Sequence, residues 1–113
     1  MTIWSELGLV GTPKTSAYSA SKGAIVQLSK AMSNEWARYG IDVNAIAPGC
    51  IRTEAIAGLV SNPQRAPLIL ARIPAGRSGE PEDLKRTAVF LAQAASDFVN
   101  GVILPVDEGY LAI

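Results

Sequence analysis

The chain has 113 residues, ten basic and ten acidic, no histidine and one cysteine, and 49% of it is hydrophobic. This length and hydrophobic content fit one small folded domain rather than a disordered segment, and the balanced charge supplies no field to recruit nucleic acid or an anionic membrane. A lone cysteine excludes an internal disulfide, and the lack of histidine excludes a Ser-His-Asp triad and an ordinary zinc site. Proton chemistry therefore falls to tyrosine, lysine and the carboxylates. With neither a signal peptide nor a long apolar span, the expected compartment is the cytoplasm.

In chain order, MTIWS (residues 1–5) reads as the end of a strand, and ELGLVGTPKTS (6–16) as a loop punctuated by glycine, proline and hydroxyl residues. Across residues 17–39 the apolar side chains Ile25, Leu28, Met32, Trp36 and Tyr39 recur every three or four positions. That period predicts a long helix, and Gly40 is placed to end it. IDVNAIA (41–47) reads as a short β-branched strand that PGC stops abruptly. Residues 51–67 contain Gly58, Pro63 and Pro67 and have no single period, which predicts a mobile excursion with one or two helical turns.

A short helix is expected over PLILARI (67–73). GEPEDLKRTAVFLAQAAS (79–96) places proline and acids in a first turn and Leu84, Ala88 and Leu91 on one face, the pattern of a helix start followed by a core stripe. GVILPVDEGY (101–110) closes as strand and turn, and Pro105, which cannot donate to a ladder, puts that strand at a sheet edge. Strands alternating with helices predict a parallel α/β sheet. Three strands amount to about half of a doubly wound, Rossmann-like domain of roughly six.

The stretch SAYSASKGA (16–24) sets Tyr18 and Lys22 four residues apart at the start of the long helix, on one face. Alone, such a pair is common on solvated helices. With YSASK, NAIAPGCIRTE and the terminal GVILPVDEGYLA together, however, the chain resembles the C-terminal half of the short-chain dehydrogenase/reductase family, from about Ser5 to the end. Tyr18 and Lys22 match that family's Tyr-x-x-x-Lys pair. Ser5, thirteen residues before Tyr18, falls where the family carries its catalytic serine. Within the family, NEWARYGIDVNAIAPG and ILARIPAGRSGEPEDL look most like the 2-deoxygluconate and 2-keto-3-deoxygluconate dehydrogenases, with gluconate 5-dehydrogenase-like enzymes close behind.

The resemblance implies an NAD- or NADP-dependent oxidoreductase that interconverts a secondary alcohol and a ketone on a small molecule, a sugar acid or polyol. It implies catalysis by Ser5, Tyr18 and Lys22, and cofactor binding by Tyr18, Lys22, Pro48, Gly49, Ile51 and Thr53. A homotetramer is implied by the family's tetrameric members. The chemistry of the residues agrees: phenol is a weak acid, and an ammonium beside it favours the phenolate and eases proton exchange with a substrate oxygen. Ser19 and Ser21 read as helix-start residues. Trp36 reads as core or subunit interface, and Arg52 and Arg72 as surface cations before carboxylate clamps. Cys50 reads as a pocket-lining or packed thiol rather than a nucleophile.

The family's glycine-rich Thr-Gly-x-x-x-Gly-x-Gly turn, its Asn-Asn-Ala-Gly segment and its active-site asparagine do not occur in these 113 residues. The residue that separates NAD from NADP lies in the same missing region, so both cofactors stay open. Residues 1–113 are thus expected to form the C-terminal part of one dehydrogenase domain, with no second domain and no catalysis by themselves. The alternative is a non-catalytic oligomerisation protein derived from such an enzyme. Three smaller departures stand out. Cys50 and Ser78 replace the tyrosine and tryptophan of sugar-acid relatives, and Glu108 replaces a glycine of the VDGG turn, where positive φ would strain it.

Overall fold

A computed structural model describes residues 2–3 and 15–112. It is α/β. The strands β1 (Thr2–Ile3), β2 (Ala45–Pro48) and β3 (Ile103–Val106) form one parallel sheet in the order β1-β2-β3. The register pairs Ile3 with Ile46, and Ala45 through Pro48 with Ile103 through Val106. Ala45, Ile46 and Ala47 are buried whichever face they point to, the signature of a parallel strand covered by helices on both sides.

The helix α1 (Ser16–Trp36) joins β1 to β2, continues as a 3-10 turn over Ala37–Tyr39, and stops at Gly40, whose φ of 71° is the left-handed cap conformation glycine supplies without strain. Its core-facing side differs from the expected stripe. Val26, Ser29 and Ser33 are buried, whereas Leu28 and Tyr39 are 56% and 63% exposed. The cause lies across the interface: β2 offers only the short side chains of Ala45 and Ala47, and Val26 packs on them with Ile25 and Ile103 alongside. A helix seated that close admits small residues in the seam and turns the larger ones outward. At its far end the approach is closer still, since a Cβ on Gly101 would lie 2.8 Å from Ser33 Oγ.

The expected strand over 41–47 begins only at Ala45. Before it, side-chain amides take the backbone groups that a ladder would use. The Val43 N–H donates to Asn100 Oδ1 at 2.8 Å, Asn44 Nδ2 donates to the Val99 carbonyl at 2.7 Å, and the Val102 N–H donates to Asn44 Oδ1 at 3.1 Å. Asn44, 3% exposed, thus brackets the entry to both neighbouring strands.

The excursion after β2 holds a 3-10 turn (Glu54–Ile56) and the short helices α2 (Ala57–Val60) and α3 (Ala66–Leu70). The helix α4 (Pro81–Leu91) starts as its sequence predicts. Pro81 opens it, Glu82 and Asp83 sit in the first turn, and the Asp83 carboxylate accepts the Glu80 N–H at 2.8 Å in a capping box. Leu84, Ala88 and Leu91 form its half-buried side. β3 lies at one edge of the described sheet with Pro105 inside it, as expected. Among the described residues, no helix is long and apolar enough to cross a membrane.

Candidate active site

Tyr18 and Lys22 occupy the first two turns of α1, and the Lys22 ammonium nitrogen stands over the phenol ring at 5.5 Å from its centroid. The pairing expected from the four-residue spacing is therefore formed. Tyr18 is 46% exposed. Around the pair, Ser21 Oγ donates to the Tyr18 carbonyl at 2.7 Å, and the Ser19 and Thr15 hydroxyls meet at 3.1 Å. Both serines serve the first turns of the helix, as read from the sequence. Ser5, the third expected catalytic residue, lies outside the described residues.

The orientation of α1 fixes where the pair points. Its C-terminal part lies at the amino ends of the strands: Ser33 touches Gly101, which precedes β3, and its carbonyl accepts from Asn100 Nδ2 at 3.4 Å. Val26 packs on Ala45 and Ala47 in mid-sheet. Lys22 and Tyr18, one and two turns further back, therefore reach the carboxyl edge of the sheet, where Pro48 ends β2. In open α/β folds that edge is where ligands bind.

The Pro48–Thr53 segment runs on from that edge. The Gly49 N–H donates to the Val106 carbonyl at 3.0 Å, and a Cβ on Gly49 would come within 2.7 Å of Asp107 Cα, so no other residue fits there without moving backbone. Ile51 forms an isolated parallel bridge with Gly79, and the Arg52 N–H donates to the Gly79 carbonyl at 2.7 Å. Thr53 is exposed and extended ahead of the Glu54–Ile56 turn. A cavity of about 240 Å³ opens here, lined by Gly49, Cys50, Ile51, Arg77, Asp107 and Glu108 among others. Neither Tyr18 nor Lys22 lines it, and it is smaller than most small-molecule pockets. Cys50 lines it as expected and meets Ser78 Oγ at 3.8 Å. Arg52 pairs with Glu80 at 3.3 Å, and Arg72 stacks over Tyr110 at 4.4 Å, so both are engaged on the surface.

One cluster was not marked by the motif reading. Arg77 donates from Nη1 to Asp83 Oδ2 at 2.9 Å and from Nη2 to Glu108 Oε1 at 2.8 Å. Glu108 has φ of 52°, alone in that region among the described non-glycine residues. Glu108 thus adopts the positive φ at which strain was expected, a conformation that costs an ordinary side chain roughly 1–2 kcal/mol. Glu108 was visible in the sequence as a departure from a glycine turn, but nothing local pointed to Arg77, 31 residues away.

The Arg77 hydrogen bond, and after it the Glu80 N–H, hold the Asp83 carboxyl below its ordinary range. A depressed carboxyl stabilises the fold above its unfolded value, and that contribution is lost as pH falls through the lower folded value. Solvent screening keeps the effect local. Carboxyl NMR should therefore give Asp83 a midpoint below that of an ordinary aspartate, and Arg77→Ala should raise it back toward the ordinary value. A midpoint insensitive to the substitution would contradict this account.

The sequence profile of the family described as enoyl-(acyl carrier protein) reductase matches residues 1–111. A 2-dehydro-3-deoxy-D-gluconate 5-dehydrogenase from Bacillus subtilis (strain 168) is 50% identical over 112 residues, covering 99% of this chain and 44% of the relative. The protein of the same name from Dickeya dadantii (strain 3937) is 46% identical with the same coverage. Among solved structures, a gluconate 5-dehydrogenase from Burkholderia cenocepacia J2315 in complex with NADP and tartrate superposes with a TM-score of 0.95 at 43% identity, over 98% of this chain and 44% of that one. The chain thus spans less than half the length of these relatives, and its small parallel sheet corresponds to part of their Rossmann-type sheet. By profile, identity and superposition together, the chain belongs to the short-chain dehydrogenase/reductase family.

Proposed function

We propose that residues 1–113 form the C-terminal part of a single nicotinamide-dependent dehydrogenase domain that interconverts a secondary alcohol and a ketone on a sugar acid or polyol. The observation that carries this reading is the placement of the Tyr18–Lys22 pair, 5.5 Å from ammonium to ring, at the carboxyl edge of the sheet where β2 ends at Pro48. The names of the relatives, and the NADP and tartrate held by the Burkholderia structure, support the substrate and cofactor classes.

In this reading the Tyr18 hydroxyl gives its proton to the substrate carbonyl oxygen in reduction and takes the alcohol proton in oxidation. Lys22, whose ammonium stands over the Tyr18 ring, holds the ribose hydroxyls of the cofactor. The hydroxyl of Ser5 orients the same substrate oxygen. NAD or NADP, when bound, supplies the hydride acceptor or donor. The exposed Tyr18 and the backbone of Pro48, Gly49, Ile51 and Thr53 along the same edge fit the nicotinamide end of such a cofactor. No residues of this sequence match the turn that would grip its pyrophosphate.

A spectrophotometric assay of the full-length protein with gluconate-type substrates, run with NAD and with NADP, tests the proposal. Turnover with one or both is expected, and Lys22→Ala should weaken cofactor binding and slow the reaction together. A full-length protein inert with every such substrate would reject the reading in favour of a non-catalytic one.

Self-association is part of the same proposal. Leu28 on α1 and Tyr39 on the 3-10 turn that continues it are exposed, and Trp36 is half-buried, which supports burial of this helix against another copy. Size-exclusion chromatography with light scattering on the full-length protein is expected to give a tetramer; a strict monomer would count against it.

A further inference from the structure

We infer that Arg77 is a positioning residue, which holds the Asp107–Glu108 turn in the shape that seats the Gly49–Ile51 segment for cofactor. The inference rests on the proposed role of that segment. Three contacts connect the parts. The guanidinium joins Glu108 to Asp83, the capping residue of α4, at 2.8 and 2.9 Å. Glu108 sits at φ 52°, a conformation its own backbone disfavours, so an external tie is needed to keep it there. Gly49 lies against the residue before Glu108, so closely that a Cβ on Gly49 would come within 2.7 Å of Asp107 Cα.

The Asp107 carboxylate carries the same constraint onward. Its Oδ1 accepts the Gly109 N–H at 3.1 Å, and its Oδ2 accepts the Leu111 N–H at 3.0 Å, so a relaxed Glu108 would displace a whole turn rather than one side chain. The Gly49 N–H is itself bonded to the Val106 carbonyl, one residue from the turn. On the other side, the Arg77–Ser78–Gly79 stretch is continuous with the bridge to Ile51. Arg77 thus grips both walls of the segment: the turn that backs Gly49, and the stretch whose Ser78 carbonyl accepts from Arg77 Nη1 and whose Gly79 bridges Ile51. As exposed ion pairs, its bonds add little to global stability, so what they determine is local geometry.

Lysine does not match this arrangement, because the two carboxylates are met by separate nitrogens of a planar fork, whereas an ammonium carries its donors on one nitrogen. Glycine at position 108 can replace it differently, since glycine adopts positive φ without a tie. That gives a test specific to positioning. In the full-length protein, titration calorimetry with NADP and with NAD should show Arg77→Ala weakening the tighter cofactor by roughly five- to tenfold, while kcat at saturating cofactor changes by less than about threefold. Adding Glu108→Gly to Arg77→Ala should restore most of the lost affinity.

An Arg77→Ala affinity within about twofold of the parent, or a loss that Glu108→Gly leaves in place, overturns the inference. Should Arg77→Ala fail to fold, Glu108→Ala is compared with Glu108→Gly. Weaker binding in the alanine variant supports the tie, and equal binding in both overturns it. Binding of NADP without turnover of any gluconate-type substrate would reject the proposed reaction yet leave this comparison readable. Absence of binding by the parent protein would reject both.

Discussion

Replacing Tyr18 with phenylalanine in the full-length protein is expected to lower turnover by roughly 10²- to 10⁴-fold while leaving cofactor affinity within about threefold. The phenol oxygen is the one atom removed. The ring that lies under the Lys22 ammonium remains, so the packing of the first turns of α1 is kept. Loss confined to kcat is therefore the mark of a group acting on the reacting oxygen, whereas a general loosening of the site would raise KM as well. Steady-state kinetics with a gluconate-type substrate, paired with calorimetric titration of NAD and NADP, separates the two. Turnover equal to that of the parent would remove Tyr18 from the mechanism.

The second large effect concerns the 113-residue polypeptide by itself, which is expected to show no measurable dehydrogenase activity and to associate or aggregate. Among the described residues, β1 pairs only with β2, and none of them supplies a strand for its other side. The apolar surface adds to this, with Phe98 fully exposed and Leu68 70% exposed. Catalysis fails for a separate reason. Proximity supplies much of a dehydrogenase's rate, and the cofactor cannot be held beside Tyr18 without a pyrophosphate-binding turn, which this sequence does not contain. Light scattering of the purified polypeptide and titration with NAD and NADP decide the matter. Micromolar cofactor binding by a soluble monomer would refute the expectation.

What could be read from the sequence follows the range of the forces involved. The start of α4 is written locally, in Pro81, Glu82 and Asp83, and the end of α1 in Gly40; both stand where expected. Pro105 likewise marked an edge strand through a purely local property, its missing N–H. The core face of α1 was less legible because two stripes overlap on that helix, and the apolar one was the louder. The choice between them depends on Ala45 and Ala47, which sequence periodicity within α1 does not report. The late start of β2 depends on Asn100, 57 residues from Val43. For the site, the four-residue spacing of Tyr18 and Lys22 sufficed to predict their contact. The Arg77 clamp was hidden, since it joins α4 to a turn beyond β3 and no motif spacing records such a meeting.

Pro105 gives the sheet a direction of growth. The carbonyls of Val102 and Val106 accept from Ala45, which opens β2, and from Gly49, just past its end, so residues 103 and 105 turn their backbone polar groups away from it. The missing donor therefore falls on the outer rim of β3, in the middle of a four-residue strand. A polypeptide seeking to extend the sheet on that rim meets a gap in the row of donors, while the rim of β1 offers no such interruption. Strand addition is thereby steered to one side. In a split-protein experiment, a complementing polypeptide from a relative should zip onto β1, and a peptide copy of β3 should find no place to stack on its twin.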